Sequence, residues 1–371
     1  MTRRPPTRAE DRLADVVLDR SLGVRRGETV TVETWDYALP WARAFVLAAR
    51  RRGCEPTLVV EDEEAFFRSL AQSARRTVPR APSSVASASD AYVYFPGPEE
   101  FPRLLGLSSE DLDMVVGRHG PDWWRAARRA GVRAARVAVA TATPTAAARF
   151  GVDRDVWETE LLRASLVPPD RLAQTASFLA RRLKRARRVR VRHPNGTDLS
   201  LELLRIPPAV EDGRVDRADQ RAGRLWTQIP TGVVAAPLLA GVAEGSWEAN
   251  RETYDRFVNP PVALGARFTF RAGRLSEYSF DRGGSAFTRA YARGGRGRDL
   301  PGAVTFGVNP AIARAPEMGE IAAGSVGLLL GGNRPLGGRN LSRFRFLSTL
   351  AGADVDLDDE PFLVEGVLVG R

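Results

Sequence analysis

The chain has 371 residues, more than one hydrophobic core usually serves, so two domains are predicted. Hydrophobic residues make up 43% and charged residues 27%, which suffices to build cores and is normal for a soluble protein. The net charge is +10, but Lys184 is the only lysine and the arginines are spread along the chain, so the charge favours an acidic peptide or partner surface over nucleic acid.

The sequence also predicts the compartment. No stretch approaches about eighteen consecutive apolar residues, so no membrane span is expected. The basic N-terminus leads into a charged helix rather than an apolar signal core, which argues against secretion. Cys54 is the only cysteine, so no internal disulfide can form and no thiolate cluster can hold zinc. We therefore expect a cytoplasmic protein without a membrane partner.

Helices and strands alternate in the first half of the chain. Apolar Leu13, Val16, Val17 and Leu22 recur at helical spacing, and an alternating strand follows at 28–33. A helix at 40–52 and a strand at 56–60 complete a strand–helix–strand order, which predicts a parallel α/β unit. The same half continues with helices at 63–75, 122–130, 153–165 and 170–182, strands at 91–95 and 132–140, and a small-residue loop at 76–90.

Hairpins replace this alternation after residue 187. Residues 189–193 and 197–203 alternate on either side of the turn Pro194-Asn195-Gly196, and a second hairpin is predicted at 267–280. Short strands and glycine turns continue to Val369. We place the domain boundary near residue 183. Residues 1–183 are predicted to form an α/β domain, a parallel sheet with flanking helices, and residues 184–371 a β-rich α+β domain.

Five segments, in order along the chain, carry a family resemblance. They are 14–17 with 27–30, Asn195-Gly196-Thr197-Asp198-Leu199, Ile229-Pro230-Thr231-Gly232 with Pro237, Gly302 through Pro310, and Gly331 with Gly337-Gly338-x-Asn340-x-Ser342. They resemble segments of the metallo-aminopeptidases typified by aminopeptidase T. The resemblance implies an aminopeptidase T-like two-domain fold, a homodimer with enclosed cavities, and two divalent metal ions held by carboxylates, histidines and a tyrosine.

The positions where this resemblance implies metal ligands carry other residues here. Val233 and Ala303 stand in place of two glutamates, Gly327 and Arg345 in place of two histidines, and Leu347 in place of an aspartate. A zinc or cobalt site needs imidazole, thiolate or carboxylate donors that converge on one point. His119 and His193 are the only histidines, and each is interpreted as a surface or hydrogen-bonded structural residue. We predict that the metal site is lost and that no cofactor is used.

Other catalytic designs find little support in the sequence. A Ser-His-Asp triad would need one of the two histidines, and no Gly-x-Ser-x-Gly elbow occurs. A Schiff-base lysine could only be Lys184, which lies in an arginine run and is interpreted as solvated. The acidic runs at 61–64, 99–100 and 354–360 are interpreted as exposed faces or turns. We therefore predict no catalytic residue.

These inferences predict a catalytically inactive, aminopeptidase-like protein that binds a peptide. The peptide is expected to be presented to a partner enzyme, for instance as the precursor of a modified peptide. The candidate peptide-binding residues are Arg339, Asn340, Arg343, Arg345, Glu317 and Glu320. Guanidinium groups pair with a carboxylate through two parallel hydrogen bonds, which makes the arginines suitable for holding a peptide terminus.

Two alternatives come from other functional classes. The first is a metal-independent enzyme that modifies a peptide in the same cavity with the help of arginine, aspartate and glutamate side chains. Turnover in the presence of a chelator, abolished by Glu317→Gln or Glu320→Gln, would identify it. The second is a metallo-aminopeptidase with relocated ligands, which metal analysis would identify.

Overall fold

The computed structural model describes residues 5–72, 80–100, 102–105, 119–255 and 263–370. Contacts within the chain divide it into two compact units, Met1–Pro169 with Gly213–Thr231, and Asp170–Asp212 with Gly232–Arg371. This division differs from a single boundary near residue 183, because Gly213–Thr231 returns to the first unit and adds a strand to its sheet. Among the described residues, no helix is both long enough and apolar enough to cross a lipid bilayer.

A five-stranded parallel sheet forms the centre of the first unit. Its strands are β1 (Thr29–Trp35), β2 (Glu55–Glu61), β3 (Ala91–Tyr94), β4 (Arg133–Val137) and β8 (Trp226–Ile229), in the order β2-β1-β3-β4-β8. Its helices are Arg8–Val16, Leu39–Arg51, Glu63–Gln72, Ala81–Ser87, Pro102–Leu105, Pro121–Ala130, Pro144–Phe150, Arg154–Ser165 and Arg217–Arg221, and a π-helical turn, Val17–Ser21, continues the first of them. The predicted parallel α/β arrangement is therefore confirmed.

The first helix, Arg8–Val16, has a complete N-terminal cap. Thr7 precedes it, and the Thr7 hydroxyl accepts a hydrogen bond from the Glu10 N–H at 3.3 Å. The Glu10 carboxylate in turn accepts one from the Thr7 N–H at 2.7 Å, which completes a capping box. Leu13 and Ala14, one turn further on, are fully buried. The helix is thus fixed by its cap and by its apolar face together.

The small-residue loop predicted at 76–90 requires correction. Ala81–Ser87 is a helix, with Pro82 in its first turn, where a missing backbone N–H costs no hydrogen bond. Ala86 is fully buried and packs in a cluster with Tyr92 and Trp123. The small side chains therefore allow close packing here, whereas residues 76–79 lie outside the described part of the chain.

One residue of the acidic run at 61–64 also departs from its prediction as an exposed face. Glu63 is only 9% exposed. Its carboxylate accepts hydrogen bonds from the backbone N–H groups of Glu99 and Glu100, at 2.7 and 3.3 Å. Burial raises the pKa of Glu63, and these backbone donors oppose that effect. Glu63 therefore fixes the loop that follows β3.

The second unit contains two sheets and two main helices. Its strands are β5 (Arg188–His193), β6 (Thr197–Glu202), β7 (Ala209–Glu211), β9 (Val233–Pro237), β10 (Glu244–Glu248), β11 (Thr253–Asp255), β12 (Arg267–Arg271), β13 (Arg274–Ser279), β14 (Pro301–Gly307), β15 (Ser325–Gly331), β16 (Arg345–Ala351), β17 (Asp354–Leu357), β18 (Glu360–Val364) and β19 (Val367–Leu368). The helices are Pro169–Arg185, which starts at the unit boundary, and Gly284–Arg293. The hairpins predicted at 189–203 and 267–280 are confirmed as β5–β6 and β12–β13.

One sheet has eight strands, in the order β13-β12-β10-β6-β5-β17-β18-β19, and the other has six, in the order β11-β16-β15-β14-β9-β7. They pack face to face. The Trp247 Nε1–H on β10 donates a hydrogen bond to Ser348 Oγ on β16 at 2.8 Å. The ring centroids of Phe306 on β14 and Phe362 on β18 are 5.4 Å apart. This contact uses one face of the six-stranded sheet. Ala303, Gly327 and Leu347 point to the opposite face of the same sheet.

Candidate functional site

Strand register brings together the five positions at which the sequence departs from the expected metal ligands. Between β14 and β15, Ala303 pairs with Leu329 and Thr305 with Gly327. Between β15 and β16, Leu329 pairs with Leu347, Gly327 with Thr349 and Gly331 with Arg345. On the other side of β14, Gly307 pairs with Val233 of β9. Residues paired across strands, and every second residue along a strand, point to the same side of a sheet. We call the side shared by Val233, Ala303, Thr305, Gly327, Leu329, Arg345, Leu347 and Thr349 the motif face.

The middle of the motif face is an apolar cluster. Ala303 and Leu347 are fully buried and Leu329 is 2% exposed, and the three pack against Tyr254 of β11, with Leu336 at the margin. Two of the five departing positions therefore lie in dry, close-packed surroundings. Side chains of this kind supply no lone pair to a metal ion.

Gly327 lies in a space that its neighbours already fill. A Cβ atom added there would overlap Thr305 Oγ1 and lie 3.1 Å from Leu347 Cδ1. Thr305 and Thr349 flank the glycine on either side and are fully buried, and neither hydroxyl has a hydrogen-bond partner in the part of the chain that the structure describes. A histidine side chain cannot enter this position without displacing β14 or β16.

The residues present therefore do not fit the two-metal site that the sequence resemblance implies. The motif face offers no imidazole or carboxylate at the five positions, and its centre is packed with apolar side chains. In the described ranges, no group of three or more histidine, cysteine, aspartate and glutamate side chains is arranged to hold a metal ion.

Acidic side chains lie near one end of the motif face. The 3-10 turn Gly319–Ile321 approaches it, since a Cβ on Gly319 would lie 3.5 Å from Thr349 Cγ2 and 3.4 Å from Glu252 Oε2. Glu317 and Glu320, two of the predicted peptide-binding residues, flank Gly319 and are half-buried. Glu317 has a φ of 61°, a left-handed conformation that is uncommon outside glycine and that often marks a functional segment.

Glu252 is a site residue that sequence reasoning missed, because Asn250-Arg251-Glu252 belongs to no motif. Burial raises its pKa above the ordinary glutamate value, and the nearby Arg251 opposes the effect. The side chain is therefore held next to Gly319 in an environment that disfavours its charged form.

We expect Glu252→Gln to stabilise the protein by about 1 kcal/mol at about pH 8 and to have little effect at about pH 3.5, below the unfolded-state pKa of a glutamate. A carboxyl whose folded-state pKa is raised loses stabilising influence as the pH rises from its unfolded value through its folded value. Glutamine does not ionise, so the variant does not lose stability in this way as the pH rises. Thermal unfolding at both pH values measures the difference, with Glu360→Gln, at a side chain that is 81% exposed, as the control. An equal gain at both pH values would contradict the interpretation.

Arginines occupy the other end of the motif face. Arg345 is half-buried at the start of β16, opposite Gly331, and its Nε lies 3.2 Å from where a Cβ on Gly332 would stand. Arg339 and Arg343 are exposed in the loop before β16. Of these three arginines, register places only Arg345 on the motif face itself.

Asn340 holds that loop in place. Its side-chain amide donates hydrogen bonds to the carbonyl oxygens of Gly297 at 2.7 Å and Gly331 at 2.9 Å, and its Oδ1 accepts one from the Ser342 N–H at 3.0 Å. Ser342 Oγ donates to the Gly294 carbonyl at 2.8 Å. The Gly-Gly-x-Asn-x-Ser run therefore fixes the entry to β16, and with it the position of Arg345.

Neither histidine lies on the motif face. His193 Nδ1 accepts a hydrogen bond from the Asn195 N–H at 3.1 Å in the β5–β6 turn. His119 Nε2 lies 3.2 Å from a carboxylate oxygen of Glu33, which is 3% exposed and also accepts a hydrogen bond from the Tyr92 hydroxyl. Tyr92, Tyr94, Trp123 and Trp226 surround the His119 ring. The hydrogen-bonded structural role interpreted from the sequence agrees with both positions.

Comparisons with known proteins identify the fold. No protein-family model matches the chain, and no curated protein matches its sequence. Among solved structures, AmpT from Thermus thermophilus matches with a TM-score of 0.69 at 18% identity, over 98% of this chain and 99% of that one. A 2,5-dihydroxypyridine dioxygenase from Pseudomonas putida KT2440 matches with a TM-score of 0.63 at 15% identity, over 99% of both chains. The fold is thus aminopeptidase T-like, as the sequence motifs predict, and proteins with different named activities share it.

Proposed function

We propose that this protein is a non-catalytic, peptide-binding member of the aminopeptidase T-like fold. The observation that supports the proposal is the apolar packing of Ala303, Leu329 and Leu347 on the motif face. Ala303 and Leu347 stand at positions where the resemblance implies metal ligands, and Leu329 lies between them. A metal ion in a peptidase activates water and polarises a carbonyl group. Without donor side chains neither role can be filled, whereas a strand-built frame can still hold an extended peptide.

Charge placement supports a peptide rather than a neutral ligand. Arg345 lies at one end of the motif face. The turn Gly319–Ile321, in the β14–β15 connection, approaches the face elsewhere; Glu320 is part of this turn and Glu317 lies just before it. A guanidinium group binds a terminal carboxylate, and a carboxylate binds an ammonium group. Arg339 and Arg343 would add exposed positive charge beside Arg345, and Asn340 would act by holding their loop.

We expect Arg345→Gln to weaken binding of carboxylate-ended peptides by about tenfold, because it removes a charge-assisted pair of hydrogen bonds. Isothermal titration would compare hits from a random heptapeptide library in their free-acid and C-terminally amidated forms. Arg293→Gln, which removes an exposed charge from the helix Gly284–Arg293, is the control. Equal affinity of wild type and Arg345→Gln for the free-acid peptide would remove Arg345 from the site. A library that yields no binder at all would overturn the proposal.

Two measurements separate the alternatives. Stoichiometric zinc, cobalt or iron in the purified protein, together with release of amino acids from a peptide, would establish a metallopeptidase with relocated ligands. Turnover of a peptide in the presence of a chelator, abolished by Glu317→Gln or Glu320→Gln, would establish metal-independent chemistry.

The proposal extends to the protein's assembly. We propose a homodimer that presents its peptide to a modifying enzyme, and the sequence resemblance is the support for the dimer. Light scattering tests the dimer directly. Co-purification with the enzyme in the presence and absence of the peptide tests presentation, which requires a complex that forms more tightly with the peptide bound.

A further inference from the structure

A cleft of about 620 Å³ opens on the first unit, at the amino ends of its parallel strands. Its walls come from the turn before β1, from the residues just before β3 and β4, and from the segment around the helix Arg217–Arg221 that precedes β8. Six of the lining residues are arginines: Arg20, Arg25, Arg133, Arg214, Arg217 and Arg221. We call this feature the arginine cleft.

The carboxylates that line the cleft are engaged in holding its walls. Glu28 pairs with Arg133 at 2.6 Å and also accepts a hydrogen bond from the Arg25 N–H at 2.9 Å. Asp90 accepts hydrogen bonds from the N–H and the hydroxyl of Thr29, at 2.8 and 2.9 Å. Each carboxylate therefore joins one wall segment to another rather than neutralising the cleft as a whole.

Asp216, the third lining carboxylate, caps the short helix. It accepts hydrogen bonds from the backbone N–H groups of Ala218 at 2.7 Å and Asp219 at 2.9 Å. These backbone donors hold the pKa of Asp216 below its ordinary value, and the charge of Arg214 adds to the effect. The carboxylate is satisfied by the chain and does not bridge to Arg217 or Arg221.

Most of the arginines in the cleft keep an uncompensated charge. Within the described ranges, the guanidinium groups of Arg20, Arg25 and Arg217 have no hydrogen-bond or ion-pair partner, and Arg221 donates only to the Arg217 carbonyl oxygen, at 3.1 Å. These four side chains are exposed, whereas Arg133 is anchored by Glu28 and by the carbonyl oxygens of Leu22 and Gly23. Four positive charges that share one concave surface repel each other, and an anion between them would relieve that repulsion.

We propose that the arginine cleft binds a small ligand with two or more phosphoryl groups. The guanidinium fork matches the geometry of phosphate oxygens, and the four guanidinium groups that have no ion-pair partner in the described ranges suit a ligand with a charge of about −3 to −4. The volume lies in the range of small-molecule sites. Among the described residues no aromatic side chain lines the cleft, and stacking on aromatic rings is what proteins use to bind single-stranded nucleic acid.

A hydroxyl group adds to this chemistry. Ser21 lines the cleft, and its Oγ is buried without a hydrogen-bond partner in the described part of the chain. The Ser21 carbonyl oxygen accepts a hydrogen bond from the Val215 N–H at 2.9 Å, which fixes the residue between two walls. A small rotation of its side chain would supply one more donor to a phosphate oxygen.

Titration of the full-length protein with inorganic tripolyphosphate and pyrophosphate, followed by calorimetry and thermal unfolding, tests the proposal. We expect saturable binding that weakens as sodium chloride is added and that exceeds the binding of sulfate. Arg25→Gln and Arg217→Gln should each weaken tripolyphosphate binding by about tenfold, since each removes a charge-assisted contact. Both side chains are exposed, so both variants should retain the melting temperature of the wild type without ligand.

The control is Arg163→Gln, which removes an exposed arginine from the helix Arg154–Ser165 outside the cleft. Equal weakening by all three substitutions would show a diffuse charge effect and overturn the proposal. Absence of saturable binding would overturn it as well. Tighter binding of hexaglutamate than of tripolyphosphate would assign the cleft to an acidic peptide instead. Because the cleft lies wholly in the first unit, none of these results depends on the peptide proposed for the motif face.

Discussion

Replacing Gly327 with alanine should lower the free energy of unfolding by about 2–3 kcal/mol, a large cost for one added methyl group. The backbone at Gly327 is extended within β15, so alanine meets no conformational penalty there. The cost arises because the methyl group would overlap Thr305 Oγ1 and press on Leu347 Cδ1. Chemical denaturation of Gly327→Ala beside the wild type measures the difference.

A double-mutant cycle isolates this contact. Thr305→Ala should be nearly neutral alone, since the hydroxyl that it removes has no partner among the described residues. Combined with Gly327→Ala, it should recover most of the lost stability, because the space for the methyl group is then free. If the losses of unfolding free energy of the two single variants simply add in the double variant, the Thr305 side chain does not fill the space next to Gly327.

Placing a carboxylate at position 347 should be more damaging still. We expect Leu347→Asp to cost about 4 kcal/mol or more near pH 7, because it removes buried apolar contacts and places a charge among Tyr254, Ala303 and Leu329. Chemical denaturation of Leu347→Asp beside the wild type measures the loss.

The dependence on pH separates charge from cavity. Leu347→Ala should lose about 3 kcal/mol at every pH, because only packing is removed. The new carboxyl of Leu347→Asp would have a folded-state pKa above its unfolded value, so its extra penalty should be small below the unfolded pKa and grow as the pH rises through the folded one. A variant that zinc restores to wild-type stability would contradict the conclusion that the motif face does not fit a metal site.

Much of the fold follows from local patterns. The apolar spacing of Leu13 and Leu22, the alternating first strand and the Pro194-Asn195-Gly196 turn each act over a few residues, so their elements could be predicted. The absence of donor residues at the departing positions is likewise a property of the chain itself. Sequence can establish which side chains are missing more readily than what fills the space they leave.

Long-range packing is the part that sequence could not supply. The proximity of Thr305 to Gly327 depends on the β14–β15 register, and two residues separated by 22 positions give no local signal of it. Glu252 belongs to no motif and is recognised only by its burial. The arginine cleft is assembled from turns that are far apart in sequence, and each of its arginines alone resembles an ordinary exposed residue.

The return of Gly213–Thr231 to the parallel sheet affects the order in which the protein can form. A ribosome delivers the chain from its amino end, and domains made of one continuous stretch can fold as they emerge. Here β4 stays an open sheet edge until β8 arrives, after the first three strands of the other unit, β5, β6 and β7, have been synthesised. An unpaired edge is a template for pairing with another chain, so the nascent protein carries an aggregation-prone surface until translation passes Ile229.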